Sequence, residues 1–186
     1  LFFMELIKQN TQSQIIKSLL VIFLGSIILT ISAKIKIPFY PVPMTMQTFV
    51  VISLGIAFGS KIGLATVILY LFEGICGLPV FSNSPEKGVG LVYFTGPTMG
   101  YLIGFLFTTF FAGYLNFKTN FLMIFLKLIF SVSFIYFFGL IWLGILIGWD
   151  KPILELGAIP FLYAELFKLL LLTLLAGSIL KIRNFI

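Results

Sequence analysis

The sequence of 186 residues contains no histidine, one cysteine and one aspartate, and these absences exclude several kinds of chemistry. Without histidine there is no Ser-His or Cys-His catalytic pair, no histidine general base and no histidine metal ligand. Cys76 alone forms no intrachain disulfide or multi-cysteine metal site, and Asp150 alone forms no two-aspartate protease. The sequence therefore predicts no metal, no cofactor and no enzymatic activity of these classes.

A nucleotide-binding loop is also missing from the sequence. Gly55–Lys61 comes nearest to a phosphate loop, but the glycines and the lysine have the wrong spacing and lie in hydrophobic sequence. Active transport by this protein would therefore take its energy from an ion gradient or from another subunit.

Charged residues are scarce, at 10%, whereas hydrophobic residues make up 60% and the mean hydropathy is +1.17. Several apolar stretches approach or exceed the ~20 residues that cross a bilayer as a helix. We therefore predict an all-α, multi-pass protein of the bacterial cytoplasmic membrane, with one transmembrane domain over residues 1–186. The six predicted helices cover residues 13–34, 44–58, 61–77, 98–116, 121–148 and 159–180.

The distribution of lysine and arginine predicts that both termini lie in the cytoplasm. In that orientation six basic residues lie near the spans on the inner side and four on the outer side, as the positive-inside rule requires. The inner six are Lys8, Lys17, Lys61, Lys118, Lys181 and Arg183, and the outer four are Lys34, Lys36, Lys87 and Lys151. Leu1–Asn10 lacks a cleavage-site signature, so we expect no removed signal peptide there.

Two charged residues interrupt the last predicted helix. Glu165 and Lys168 are three residues apart in an otherwise apolar segment, so they share one helix face. Each costs ~2.5–3.5 kcal/mol inside a membrane helix, which makes such residues functional candidates by default. With the helix starting near Ile159 at the outer surface, Glu165 lies ~9 Å deep and Lys168 ~13 Å deep.

Two other polar segments fall on the same side of the membrane as this pair. Prolines in Ile37–Pro43 forbid a regular helix, and such backbone at membrane depth must be buried in protein or line a cavity. The connection Pro79–Thr95 is rich in Ser, Asn, Gly and Pro and can cap a cavity. Together these segments predict a small-molecule site that opens to the outside.

Four blocks of sequence resemble the BioY proteins, the biotin-specific S components of energy-coupling factor (ECF) transporters. Ile37–Thr48 is similar to I-P-x-x-P-V-P-x-T-x-Q-T, and Gly77–Phe81 to G-L-P-V-F. Gly96–Phe105 is similar to G-P-T-G-G-Y-L-x-G-F, and Pro160–Lys168 to P-x-x-P-G-D-x-x-K. The blocks follow the family's order over most of the chain.

The resemblance implies a six-helix subunit that captures biotin at the outer face. It implies partners that carry the coupling and ATPase functions, and no nucleic-acid partner. Its implied ligand contacts are Glu165, Lys168 and Asn83, with Thr45 and Gln47 of the first block as further candidates. Ser26 and Thr30 match a small-x-x-x-small pattern that docks the family's S components on the transmembrane coupling subunit.

The chain departs from the family pattern beside the charged pair. Glu165 stands where the family has Asp, which lengthens the side chain by one methylene and shifts the carboxylate. Tyr163 and Ala164 replace Pro-Gly just before it. Biotin's ureido ring offers two N–H donors and a carbonyl acceptor, which a carboxylate, an ammonium and an amide can satisfy.

Each candidate residue also has a structural alternative. Glu165 and Lys168 can form an ion pair that joins helices, and Thr45 can cap a short helix. Asn83 can be an ordinary turn residue. Gly100 with Gly104, and likewise Gly59–Gly63, can provide close packing between helices.

Three classes of function remain open from the sequence. The first is biotin capture for a separate ATPase module, and the second is a self-sufficient carrier or homo-oligomeric channel with Glu165 as an ion or proton site. The third, a membrane enzyme that uses a serine with Lys168, is disfavoured by the scarcity of acids and the absence of histidine. A carrier with alternating halves would show an internal repeat, and we find none, which favours the capture subunit.

Overall fold

The computed structural model describes the backbone of residues 2–183 and the side chains of residues 12–183. The expectations for Leu1, Glu5 and Lys8 therefore lie outside the described residues or side chains. The elements in chain order are α1 (Phe2–Lys34), β1 (Lys36–Ile37), β2 (Met44–Thr45), α2 (Gln47–Ile75), a first 3₁₀-helix (Gly90–Thr95), α3 (Met99–Tyr114), α4 (Phe121–Ile147), α5 (Ile153–Gly157), a second 3₁₀-helix (Ile159–Phe161) and α6 (Leu162–Ile182).

Helix α2 is not straight but folds back on itself at Gly59. The Gln47 amide nitrogen lies 2.8 Å from the Tyr70 hydroxyl, whereas a continuous helix would place these residues about 35 Å apart. Gly59 makes the reversal with φ 78° and ψ 174°, a backbone conformation that residues with a Cβ rarely adopt. Its role is therefore the turn itself, while Gly63 packs against Gly55 across the hairpin.

The two arms of α2 correspond in sequence to the predicted helices 44–58 and 61–77. With α1, α3, α4 and α6 they make six long helices within residues 2–183, so the predicted all-α class with six helices is confirmed. By length and composition alone, four segments of the described residues qualify as membrane spans: Gln12–Lys34, Gln47–Ile75, Phe121–Ile147 and Ile153–Ile182. Gln47–Ile75 qualifies only when the two arms of α2 are counted together.

The last helix differs from its predicted start. Residues 159–161 form the second 3₁₀-helix, and α6 begins at Leu162. Pro160 in the first turn of that short helix lacks a backbone N–H, so it suits a helix start but interrupts a longer one. Glu165 therefore lies in the first turn of α6.

Glycines bring α3 into close contact with its neighbours, α2 on one side and α4 on the other. A Cβ on Gly55 of α2 would lie 2.6 Å from the Thr109 carbonyl oxygen of α3. On the other side of α3, a Cβ on Gly104 would lie 2.5 Å from Ile135 Cα in α4. The helix axes can approach this closely only because these positions lack a side chain.

The bundle has two ends with different contents. At one end Arg183 donates hydrogen bonds to the backbone oxygens of Gly55 and Gly113, at 3.1 and 3.2 Å, next to the turn of α2. The other end, called the pocket end here, holds the β1–β2 pair, the start of α2 and the start of α6. The cytoplasmic placement of both termini stays a prediction.

Candidate substrate-binding site

A small, partly open cavity of about 50 Å³ lies at the pocket end of the bundle. Its walls come from the proline-rich segment and the start of α2, from the long loop, and from α3, α4 and α6. The lining residues are Val42, Pro43, Met44, Thr45, Gln47, Thr48, Ser82, Tyr93, Thr98, Tyr101, Leu102, Phe105, Ile135, Tyr136, Phe161, Glu165 and Lys168.

The three polar segments that the sequence placed on one side of the membrane meet in this cavity. The α2 hairpin explains part of the arrangement, because its first arm is too short to cross a bilayer by itself. The strands β1 and β2 and the prolines between them precede this arm at the pocket end. Irregular backbone is tolerated there because it is packed in protein and borders the cavity.

Glu165 and Lys168 form a buried ion pair in the cavity wall. The ammonium nitrogen lies 2.9 Å from Glu165 Oε2, and each residue is only 5% exposed. The same nitrogen donates to the Thr48 hydroxyl at 2.5 Å and to the Thr45 backbone oxygen at 3.1 Å. An ammonium carries three hydrogens, so these three acceptors use all of them. In this conformation Lys168 orients the site and has no spare hydrogen for a ligand.

The two oxygens of Glu165 have different surroundings. Oε2 accepts hydrogen bonds from Lys168 and from the Tyr136 hydroxyl, the latter at 3.0 Å. Oε1 is buried without a partner, a condition that it shares with Arg183 Nε among the described residues. An unsatisfied buried carboxylate oxygen costs free energy, and a ligand that brings an N–H or O–H donor removes that cost.

Thr45 and Gln47 line the cavity, and both are held by contacts within the protein. The Thr45 hydroxyl accepts a hydrogen bond from the Gln47 backbone N–H at 3.3 Å, but Met46 and not Thr45 is the N-cap of α2. The Gln47 amide donates to Tyr70 and its oxygen accepts from Thr45 at 3.3 Å. The two side chains therefore stiffen the start of α2 next to the cavity, and their contact with a ligand stays a prediction.

The structure differs from the sequence interpretation at Asn83. The side chain of Ser82 lies in the cavity wall, whereas Asn83 borders a separate small depression. Asn83 Oδ1 accepts a hydrogen bond from the Lys36 ammonium at 3.1 Å, which holds the amide away from Glu165. Asn83 reaches the cavity only if this segment of the loop rearranges, so its ligand role stays a prediction.

Two lysines hold the loop that carries Ser82 over the cavity. Lys34 donates to the backbone oxygens of Phe81 and Ser84, both at 2.7 Å, and Lys36 donates to the Ser82 oxygen at 2.5 Å. These contacts explain why two lysines occur together at the pocket end, where they counted against the positive-inside rule.

Lys36→Met is expected to loosen this loop. The change removes the hydrogen bonds to the Ser82 oxygen and to Asn83 while keeping an apolar side chain of similar length. Hydrogen exchange of the amides of residues 83–88 should become several-fold faster, because loss of even one such bond makes local opening ~1 kcal/mol easier. Lys118→Met, at an exposed lysine of the opposite end, is the control. Equal exchange rates in both variants would contradict the role of Lys36 in holding the loop.

The two residues predicted to dock on the coupling subunit, Ser26 and Thr30, differ in their exposure. Ser26 is 0% exposed, and its hydroxyl lies 3.0 Å from Glu73 Oε1 of α2. Thr30 is half-buried and donates to the Ser26 backbone oxygen. A partner helix can therefore reach Thr30 but not the side chain of Ser26. The docking role of the pair stays a prediction.

Tyr136 and Thr48 were not assigned as site residues from the sequence. Thr48 lies in the first sequence block, where its spacing from Gln47 gave no reason to place it against Lys168. Tyr136 stands among many aromatic residues in α4, and no local pattern distinguishes it from a packing residue. Both contacts join residues far apart in sequence: Thr48 and Lys168 are 120 residues apart, and Tyr136 and Glu165 are 29 residues apart.

No group of three or more Cys, Asp and Glu side chains that could hold a metal ion occurs within the described part of the chain. The site therefore offers a neutral ion pair, one free carboxylate oxygen, several hydroxyls and apolar walls. Such a set can bind a small polar ring by hydrogen bonds while the walls contact its apolar parts.

Comparisons with known proteins agree on one family. The model of the BioY family matches residues 7–185. The chain is similar to the probable biotin transporter BioY of Pyrococcus horikoshii, at 34% identity over 75% of this chain and 81% of the relative. It is also similar to the biotin transporter BioY of Thermotoga maritima, at 33% identity over 83% and 90% of the two chains.

A solved structure resembles the whole bundle. It is the crystal structure of the S-component for biotin from an ECF-type ABC transporter. The TM-score is 0.75 at 27% identity, and the match covers 91% of this chain and 93% of the other.

Proposed function

Because the chain belongs to the BioY family, we propose that its cavity is the binding site of a biotin-capture subunit. The protein is a multi-pass protein of the cytoplasmic membrane and acts in biotin uptake as the S component of an ECF transporter. Its partners are the coupling and ATPase subunits of that transporter. Biotin enters at the pocket end, which is the outer face in the predicted orientation.

The free oxygen of Glu165 is the observation that carries the site assignment. Glu165 lines the cavity, and its Oε1 is buried without a hydrogen-bond partner. The ureido ring of biotin brings N–H donors, and a hydrogen bond to a charged acceptor contributes ~1.5–3 kcal/mol. Lys168 supplies the countercharge for the buried carboxylate, and the apolar walls suit the rest of the ring system and the valeryl chain.

The residues of the site support binding without chemical change of the ligand. Lys168 is fully hydrogen-bonded in an ion pair and so is not a free base or nucleophile. The hydroxyl beside it, that of Thr48, accepts one of these bonds. We therefore propose transport and not catalysis.

Biotin binding and its energy source are tested in two steps. The protein purified in detergent should bind biotin with high affinity, measured by isothermal titration. Cells that make the chain together with the coupling and ATPase subunits should take up labelled biotin. Cells that make the chain with an ATPase subunit whose phosphate-loop lysine is replaced should not.

Two results would contradict the proposal. Absence of biotin binding by folded, monodisperse protein would remove biotin as the ligand. Equal uptake by the chain alone, abolished when the ion gradient is collapsed, would instead indicate the self-sufficient carrier with Glu165 as an ion or proton site.

A further inference from the structure

Tyr136 reaches the cavity from α4 and touches the binding carboxylate directly. Its hydroxyl donates to Glu165 Oε2 at 3.0 Å. Its ring packs edge-to-face against Tyr101, with 6.4 Å between the ring centres and 84° between the ring planes. Tyr101 is itself anchored, since its hydroxyl donates to the Gly157 backbone oxygen at 2.8 Å. The Tyr136 hydroxyl is therefore held in place from a second helix.

Two donors on one oxygen determine how the carboxylate faces the cavity. The terminal torsion of a glutamate side chain is broad, so a single donor leaves the carboxylate free to rotate. Lys168 arrives from the next turn of the same helix and Tyr136 arrives from α4, and both bind Oε2. Rotation would break one of these bonds, and so Oε1 stays the unpartnered acceptor.

We propose that Tyr136 is a positioning residue that makes the site selective for ligands with an N–H donor at Glu165 Oε1. The inference rests on the proposed function and concerns the same site, with a cyclic urea as the ligand chemistry. Tyr136 does not contact the ligand in this role. It acts through Glu165, whose longer side chain needs a second anchor.

Blocked ligands separate positioning from general support of the fold. The ligands are biotin and two analogues, each with a methyl group on one of the two ureido nitrogens. The unaltered protein should bind at least one analogue about a hundredfold more weakly, because it loses a hydrogen bond to a charged group and brings a methyl group against it. That ratio of affinities is the readout.

Tyr136→Phe should lower the affinity for biotin about tenfold and hardly change the affinity for the discriminated analogue. The ratio then falls about tenfold, because the freed carboxylate turns to suit either ligand. A merely structural role would weaken both ligands alike and leave the ratio unchanged, which would overturn the inference. Tyr136→Met, which fills the space with a flexible apolar side chain, should lower the ratio in the same way if Tyr136→Phe yields no folded protein.

Tyr93→Phe is the matched control. It removes a hydroxyl from another tyrosine of the cavity wall, one that bonds to Ser82 and the Asn83 backbone and not to Glu165 or Tyr136. Any loss of affinity should be equal for biotin and the analogue, so the ratio stays at its original value. A fall as large as that in Tyr136→Phe would overturn the assignment to Tyr136.

A final test measures the effect of Tyr136→Phe in the Glu165→Asp variant, whose carboxylate side chain is shorter. In Glu165→Asp the acid group draws back from the Tyr136 hydroxyl, so adding Tyr136→Phe should change the ratio less than twofold. An undiminished tenfold effect would show that Tyr136 acts independently of Glu165. If the unaltered chain binds no biotin, the proposed function fails. If it binds biotin but accepts both analogues equally, only the inference fails.

Discussion

Lys168→Ala is expected to lower biotin affinity by more than a hundredfold. Lys168 is 5% exposed, and its ammonium supplies hydrogen bonds to Glu165, Thr48 and the Thr45 backbone. Its removal leaves a buried carboxylate without a countercharge, a change that costs ~3–5 kcal/mol in buried pairs. Glu165 then loses one of the two donors that orient its carboxylate. Isothermal titration of the purified variant measures the loss.

Lys151→Ala is the control for Lys168→Ala. Lys151 also pairs with an acid, Asp150 at 3.4 Å, but the two side chains are 57% and 74% exposed. Such a pair contributes ~0–1 kcal/mol, so affinity should stay within about twofold. Unchanged biotin affinity in Lys168→Ala would exclude a role of the pair in the binding site.

The double variant Glu165→Ala/Lys168→Ala should unfold at a higher temperature than Lys168→Ala, since it leaves no unpaired charge.

Gly104→Leu is expected to abolish most of the folded protein. Even the first carbon of the new side chain would lie 2.5 Å from Ile135 Cα and 2.8 Å from the Phe134 oxygen, both in the backbone of α4. Backbone cannot give way as a flexible side chain does, so α3 and α4 must separate. Overpacking costs ~1–3 kcal/mol even where side chains can adjust, and the cost here should exceed that. Yield of monodisperse protein and thermal unfolding in detergent measure it.

Gly177→Leu is the matched control for Gly104→Leu. Gly177 also lies within a membrane helix, but a Cβ there meets no atom within 4 Å. The leucine would face the lipid, where an apolar side chain is favourable. We expect normal yield and unchanged biotin affinity. Comparable damage from both substitutions would mean that loss of glycine, and not the α3–α4 contact, is responsible.

Several parts of the fold follow from the sequence because they depend on local composition. Apolar length predicts the helices, and the prolines of Ile37–Pro43 predict irregular backbone before α2. Glu165 and Lys168 stand out because charges are costly in an apolar helix. Gly59 does not stand out in this way, because its role depends on a φ of 78° at the turn of α2. Glycine is as typical of a packing surface as of a turn.

Other parts of the site depend on which distant residues meet. Asn83 has the right chemistry for the cavity, but Lys36 holds its side chain outside, and Ser82 takes the place in the wall. No sequence pattern distinguishes Tyr136 from the many other aromatic residues of α4, because its role depends on its hydrogen bond to Glu165. That contact needs α4 and α6 to pack together, which no local pattern predicts.

The sequence by itself determined that the protein lies in a membrane, how many long helices it has and which family it belongs to. It also revealed the charged pair Glu165 and Lys168, which is energetically costly in an apolar helix. These features follow from hydropathy, prolines and short motifs, which are local properties of the sequence. Only the tertiary structure decided how that pair is used. It brought Thr48 and the Thr45 backbone to Lys168, and Tyr136 to Glu165, from helices far apart in sequence. These partners occupy every hydrogen of the ammonium and one oxygen of the carboxylate, so the acceptor left for a ligand is Glu165 Oε1.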